Sequence, residues 1–332
     1  MRYVGLDIHK KHTQACVRNE KGKILLDERF KTDADEIGKF FSKVEGHGPL
    51  TVAMEATGFY FWIYNCIAAR GHDVKVVHPA RIKPLMKAKS KNDRNDASML
   101  AELLRTGCLE GIYVPSEEVR DMRDLTRYRE SLVRKKGDLK REMIAALDQR
   151  GIKMPAEFRT NFTKKHMAWM RSLEIFTVDE KLDLLELTMA KLENVEQKIE
   201  EEWGKDEDVV LMQSVPGIGL VTSAVVKAEI GDTKRFGSPD NLAAYMGLVP
   251  TTYQSGEKEW SGPTRHGNSR VKHVLLEATL MHLHICPDSK ISRYYHRKRD
   301  TIGAKKAIVA AGRKMAEALY FMLERREEFH AH

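Results

Sequence analysis

Tyr3-Val4-Gly5-Leu6-Asp7-Ile8-His9 is a short apolar run near the start of the 332-residue chain, and it reads as a β-strand. It is the first of three strands, at 2–9, 12–19 and 23–31, joined by tight turns. The second connection, Asn19-Glu20-Lys21-Gly22-Lys23, has the polar, glycine-containing composition of a hairpin loop. Asp33 to Val44 then has helical periodicity, with Ile37, Phe40, Phe41 and Val44 on one side. A strand at 50–55 follows, then a helix from about Phe59 to Arg70 stopped by Gly71, then a strand from Asp73 to His78.

Three hairpin-linked strands followed by alternating helices and strands is the ribonuclease-H-like order, an α/β domain with helices on the faces of a mixed sheet. In that order the first and fourth strands lie side by side and parallel. Asp7, and Glu55 at the end of Leu50-Thr51-Val52-Ala53-Met54-Glu55, would then emerge together at the carboxyl edge, where ligands collect in open α/β sheets. Asp93 and Asp96 stand three apart where Lys91-Asn92-Asp93-Arg94-Asn95-Asp96 leads into a helix running to about Arg105. Residues at i and i+3 share a helical face, so both carboxylates can point one way. Two readings compete for this pair. Asp93 can cap the helix with Asp96 facing its dipole, or both can join Asp7 and Glu55 around a cation. Carboxylates about 4 Å apart repel by roughly 4 kcal/mol per pair at an effective dielectric near 20. Four of them in one place call for a divalent cation, whose natural use is phosphodiester chemistry.

At 332 residues the chain has room for about two domains. Hydrophobic content of 42% and charged content of 31% describe an ordinary globular protein. The net charge of +8 suits an acidic partner, and its clustering says more. Arg81, Lys83, Lys87, Lys89, Lys91 and Arg94 face one acid, Asp93, and nine basic residues between Lys290 and Lys314 face Asp300 alone. Such patches fit a nucleic-acid backbone, although a solvated basic face has the same composition. The four cysteines, Cys16, Cys66, Cys108 and Cys286, form no Cys-x-x-Cys pair, which argues against a zinc site or disulfide framework. His282, His284 and Cys286 alternate, a spacing that scatters ligands over different faces of a helix. No apolar run is long enough to span a membrane, and the first strand leaves no room for a signal peptide, so the expected location is cytoplasmic.

Residues 116–150 and 178–203 are highly charged with helical periodicity and read as two long helices in a hairpin or coiled-coil arm, joined by an irregular stretch around Gly151–Phe176. Val215-Pro216-Gly217-Ile218-Gly219-Leu220 resembles the turn of a helix-hairpin-helix element, in which Gly217 and Gly219 let backbone N–H groups approach a phosphate. A glycine turn between two packed helices looks the same. Beyond Pro250, Thr251-Thr252-Tyr253-Gln254-Ser255-Gly256-Glu257-Lys258 reads as a polar loop, and Thr264 to Lys272 as a basic lead into another helix. Lys258, Arg265, Arg270 and Lys272 are further candidates for nucleic-acid contact. Ser255 taken alone is a turn former.

Gly5-Leu6-Asp7-Ile8-His9-Lys10, Met54-Glu55-Ala56-Thr57-Gly58 and Lys91-Asn92-Asp93-Arg94-Asn95-Asp96-Ala97 together resemble the three acidic blocks of the DEDD insertion-sequence transposases. That family includes the Piv-type DNA invertases and the bridge-RNA-guided serine recombinases. Val215–Gly219, Gly247-Leu248-Val249-Pro250, Gln254-Ser255-Gly256 and Gly267-Asn268 resemble its second conserved region. The likeness covers nearly the whole chain in order. One departure is Asn92, where many relatives carry Thr.

The resemblance implies three parts: a RuvC-like catalytic domain at 1–110, a helical coiled-coil arm at 111–207, and a mainly α-helical transposase domain at 208–332. It implies that Asp7, Glu55, Asp93 and Asp96 hold Mg²⁺, with Mn²⁺ as an alternative. Ser255 would be the nucleophile of a covalent phosphoserine intermediate, meeting the carboxylates in a composite site of a dimer or tetramer. It also implies donor and target DNA as partners, with a structured guide RNA in guided members. The rival enzyme is a Holliday-junction endonuclease that cuts without rejoining and has no use for Ser255. An actin-like kinase would need a Gly/Thr-rich hairpin where Ile8-His9-Lys10-Lys11-His12 stands, and a non-catalytic scaffold would have no need of the acidic positions.

Overall fold

The first unit of the chain, Met1–Val114, is built on a sheet, and the second, Pro115–His332, on helices. The computed structural model describes residues 1–46, 48–82, 92–255, 258–264 and 267–331, with backbone alone for 252–255, 258–261 and 263. The first unit runs β1 (Arg2–Ile8), β2 (His12–Asn19), β3 (Ile24–Lys31), α1 (Ala34–Val44), β4 (Thr51–Glu55), α2 (Tyr60–Ala68), β5 (Asp73–Val77), α3 (Pro79–Ile82) and α4 (Asp93–Arg105). Its sheet order is β3-β2-β1-β4-β5, with β1 antiparallel to β2 and parallel to β4. This is the mixed α/β sheet expected from the element order.

Alternation along the strands decides which helices cover which face. Val4, Leu6, Ile8, Val52 and Met54 point one way and bury against Ile37, Phe40 and Phe41 of α1 and Ile63 and Ile67 of α2. The residues between them point the other way. There Ala53 packs with Leu100 and Leu104 of α4, and Cys16 with Ala97 and Ala101. The small residues let α4 settle almost onto the sheet backbone: a Cβ on Gly5 would lie 2.1 Å from the Ala97 carbonyl oxygen and 2.5 Å from the Ala101 nitrogen.

The second unit continues with α5 (Glu117–Asp148), α6 (Lys164–Arg171), α7 (Phe176–Trp203), α8 (Glu207–Gln213), α9 (Leu220–Ile230), α10 (Pro239–Tyr245), β6 (Pro250–Ser255), β7 (Lys258–Thr264), α11 (Ser269–Ile285), α12 (Lys290–Ile302) and α13 (Ala304–Arg325). The long helices α5 and α7 run antiparallel. Met143 and Leu147 of α5 meet Leu182 and Leu185 of α7, while Met122 and Leu132 meet Leu192, Val195 and Ile199. Ala224 and Ala228 of α9 share the second of these clusters, so the hairpin is rooted in the rest of its unit.

Two expectations are corrected. The stretch expected to be irregular between the long helices contains α6, begun by the Thr163 side chain accepting the His166 N–H and anchored by the buried Met170. The segment expected to be a polar loop after Pro250 is half of a β-hairpin, with Thr252 opposite Ser261 and Tyr253 opposite Trp260. Its β-branched and aromatic residues suit strands, and that signal outweighs the polar composition. Among the described residues no helix is long and apolar enough to cross a membrane.

Candidate functional site

Asp7 is the penultimate residue of β1 and Glu55 the last of β4, one step beyond the Leu6–Met54 pairing of these parallel strands. Both lie on the α4 side of the sheet, the side set by Gly5 and Ala53. The α4 face carrying Ala97, Leu100 and Ala101 onto the sheet continues toward the helix start through Asp96 and Asp93, at i−4 from Leu100 and Ala97 respectively. The same contact that buries α4 therefore brings its first turn to the carboxyl edge of β1.

The capping alternative for Asp93 is corrected by its neighbour. Asn92 is the N-cap, its Oδ1 accepting the Asn95 N–H at 2.8 Å, and Asp93 is already the first helical residue. Asn and Thr both cap well, so the departure from Thr at this position leaves the turn intact. Asp93 instead faces His9, whose Nε2 lies 3.5 Å from Asp93 Oδ1 and 3.2 Å from Asp7 Oδ2. One ligand atom from each of Asp7, His9 and Asp93 lies within 4.8 Å of the others. Glu55 and Asp96 are outside that triad, although Asp96 acts on Asp7 electrostatically.

Burial pushes the Asp7 carboxyl above its usual range; His9 pulls it back by charge and hydrogen bond, and Asp93 and Asp96 push it up again. Only 16% of the Asp7 side chain is exposed, against 43% for Asp93 and 56% for His9. A desolvated carboxylate at the bottom, with a second carboxylate and an imidazole at the rim, is a donor set that fits a small divalent cation. Mg²⁺ takes oxygen ligands, which leaves the imidazole to hydrogen-bond Asp7 from outside.

His9 was not singled out in the sequence. The available signal is its position two residues after Asp7, the interval that returns a side chain to the same face of a strand. Asp27 is a second addition. It accepts from Gln14 Nε2 and from Arg94 Nε, both at 2.5 Å, and so ties β3 to the first turn of α4.

Of the basic residues expected to meet nucleic acid, Arg94 is thus paired with Asp27, and Arg81 lies 3.9 Å from Glu110. Arg270 binds Glu130 at 2.7 Å, and Lys272 donates to the Thr264 hydroxyl at 2.6 Å. Lys83, Lys87, Lys89, Lys91 and Arg265, and the side chains of Lys258 and Ser255, lie outside the described residues. The backbone of Ser255 closes β6 opposite Lys258. Gly217 has φ +96°, and a Cβ there would meet the Ala278 carbonyl oxygen at 2.7 Å, so the turn packs closely against helix α11. Gly219, the N-cap of α9, has nothing within 4 Å of its Cβ position. His282 is buried between the Pro216 carbonyl and Ser289 Oγ, both at 2.8 Å, which accounts for it as a core residue.

In the second unit a buried carboxylate, Glu229, is held by a half-exposed arginine, Arg127. Arg127 Nε and Nη2 donate to both oxygens of Glu229 at 2.7 and 2.9 Å, and Asn268 Nδ2 adds a third bond at 2.8 Å. Burial would raise the Glu229 carboxyl, but the Arg127 and Asn268 hydrogen bonds and the charges of Arg127 and Arg123 bring it below its usual range. Asn268 also caps α11 immediately after the β6–β7 hairpin, and the Tyr245 hydroxyl just before it donates to the Glu229 carbonyl.

A family model described as transposase, of the DEDD IS110 type, matches residues 4–151, and one described as transposase of the IS116/IS110/IS902 family matches residues 210–296. The transposase for insertion sequence element IS1111A of Coxiella burnetii is 28% identical over 99% of this chain and 91% of its own. The transposase for IS1328 of Yersinia enterocolitica is 25% identical over 84% of this chain and 83% of its own. A probable family 20 transposase of Pseudomonas aeruginosa is 24% identical over 97% and 96%. With the acidic blocks on one sheet edge and both regions matched in order, the chain belongs to the DEDD transposases of the IS110 family, DNA transposases of insertion sequences.

Proposed function

We propose that this transposase cleaves and rejoins DNA strands in two chemical steps, with Asp7, Glu55, Asp93 and Asp96 holding a divalent cation and Ser255 as the nucleophile. The observation that carries the metal reading is the Asp7–His9–Asp93 triad, in which Asp93 has no capping duty and Asp7 is desolvated beside other acids. Mg²⁺ is the natural occupant, with Mn²⁺ as its substitute. Bound there, the cation would supply Lewis-acid stabilisation of charge on the phosphoryl oxygens. His9 is a positioning residue in this reading, since its Nε2 hydrogen-bonds Asp7 at 3.2 Å and lies 3.5 Å from Asp93. The sheet and its carboxyl-edge acids support a RuvC-like fold for the first unit, about residues 1–110, followed by an arm at 111–207 and a transposase domain at 208–332.

In the first step Ser255 Oγ attacks a DNA phosphate. An O–P bond to serine forms, the bond to one deoxyribose oxygen breaks, and the serine proton leaves to solvent while the departing oxygen takes one up. In the second step a deoxyribose hydroxyl of the other strand displaces the serine, so phosphodiester bonds are conserved without an energy source. The resemblance of Gln254-Ser255-Gly256 to the family's second region supports this role. Donor and target DNA, a structured guide RNA and assembly as a dimer or tetramer follow from the same resemblance.

Manganese binding by the full chain, read from the paramagnetic resonance of free Mn²⁺, tests the metal site. Asp7→Asn is expected to lose binding and keep the wild-type circular dichroism; undiminished binding would overturn the assignment. Denaturing electrophoresis of cleavage reactions tests the nucleophile. A protein–DNA adduct is expected for the wild type and absent for Ser255→Ala, and cleavage without any adduct would favour the junction-endonuclease alternative.

A further inference from the structure

Helix α12 carries Lys290, Arg293, Tyr294, Arg297 and Lys298 at spacings of i, i+3, i+4, i+7 and i+8, which is one continuous helical face. Ser292 points into the core from the opposite side, and the buried Ile291 lies at the edge of this face and lines the same cleft. Arg293 and Arg297 are like charges one turn apart, an arrangement that destabilises an isolated helix. Among the described residues neither they nor Lys290 and Lys298 pair with a carboxylate. The face is not simply a convex solvated surface. It forms one wall of a cleft of about 560 Å³, closed by Lys314 of α13 and by Phe329 and His330 of the C-terminal segment. That segment is held down at both ends: Phe329 N–H donates to Ser214 Oγ at 3.0 Å, and the Ala331 carbonyl accepts the Lys290 N–H at 3.2 Å.

Tyr294 lines the cleft. Arg297, Lys298 and Lys314 reach its ring from 5.5, 5.7 and 5.9 Å, so an aromatic surface is ringed by cations. A ligand that satisfies all of these at once is both anionic and flat. A duplex presents phosphates but keeps its bases stacked out of reach, and an acidic peptide offers charge with no need of the ring. An unpaired nucleotide within a strand supplies both, a phosphodiester for the guanidiniums and a base for the tyrosine. The volume falls within the roughly 300–1,000 Å³ range of small-ligand pockets, enough for a nucleotide or two.

We infer that the cleft between α12, α13 and the C-terminal segment binds an unpaired nucleotide of single-stranded nucleic acid, stacking its base on Tyr294 and holding its backbone with Arg293 and Arg297. The inference rests on this chain's handling of nucleic acid, but not on the carboxylate site or on Ser255. Guide RNA and displaced DNA share the recognised chemistry.

The test is fluorescence anisotropy of the full chain, in chelator, with short labelled oligouridine, oligodeoxythymidine and a DNA duplex of matched length. Tyr294→Leu is expected to weaken single-strand binding by about fivefold to a hundredfold while duplex affinity stays near wild type, and Tyr294→Phe to restore it. Arg293→Gln with Arg297→Gln, both exposed and so harmless to folding, is expected to lower the logarithmic salt slope on single strands by about 1.4. Tighter binding of oligouridine would assign the site to RNA, and of oligodeoxythymidine to DNA. Unchanged single-strand affinity in Tyr294→Leu, or equal loss on the duplex, would overturn the inference. Because the assay is run in chelator it does not depend on the metal site, which separates a failure here from a failure there.

Discussion

Gly5 shows how a residue with no side chain can determine the placement of those that do chemistry. Its missing Cβ is where the Ala97 carbonyl and Ala101 nitrogen of α4 sit, at 2.1 and 2.5 Å from the position a methyl would occupy. Both obstacles are backbone, so Gly5→Ala must push the whole helix outward. Overpacking of this kind costs about 1–3 kcal/mol, more where backbone must move. Gly5→Ala is expected to lower the urea midpoint accordingly and to weaken Mn²⁺ binding, because Asp93 rides on the displaced helix. Gly58→Ala, whose Cβ meets nothing within 4 Å, is the matched control with little expected change. Wild-type stability in Gly5→Ala would show that α4 can reposition without cost. The positions of Asp7 and Asp93 could be read from the sequence because one stands at the end of an apolar run and the other at the start of a helical one. His9 could not, since its role depends on Asp93 arriving from 84 residues further on, and no local pattern signals that.

Among the elements, the sheet and its covering helices were readable almost to the residue, because period-2 and period-3.6 hydrophobicity are local properties of β1–β5, α1 and α4. The β6–β7 hairpin was hidden by its polar residues, and α6 by its brevity. The buried tie between α5, α9 and α11 was also invisible: Arg127, Glu229 and Asn268 are each ordinary in sequence and meet only in the fold. That tie makes a pH prediction. Glu229, with 2% of its side chain exposed, has its carboxyl held below the ordinary value in the folded protein. Its contribution to stability is therefore complete above the unfolded-state value of about 4.3 and is lost as pH falls through the lower folded value. Glu229→Gln is expected to cost on the order of 1–3 kcal/mol at neutral pH, from losing hydrogen bonds to a charged group. It should also flatten the loss of stability on acidification below about 4.3 relative to wild type. Urea unfolding at a series of pH values gives both curves; if they run parallel through the acid window, Glu229 is not the group that couples protons to folding.

At the scale of the molecule, a net charge of +8 says little until free cations are separated from those already paired. Arg94 is held by Asp27 and Arg270 by Glu130, so these two neutralise partners within the chain before they meet a phosphate. Composition alone ranks them equally with Lys87, Lys89 and Lys91, which sit in the same basic stretch as Arg94. The ionic-strength dependence of binding distinguishes them, since each cation set on a phosphate releases counterions and steepens the logarithmic salt slope by about 0.9 on duplex DNA. Replacing Lys87, Lys89 and Lys91 together with Gln is expected to flatten that slope by about 2–3, while Arg94→Gln leaves it unchanged and lowers stability slightly through the lost tie to β3. The measurement is duplex affinity across a range of potassium chloride concentrations for the full chain and both variants. A slope that falls in Arg94→Gln would mean that the Asp27 pair opens when DNA arrives. An unchanged slope in the triple variant would move the phosphate contacts to other basic faces of the protein.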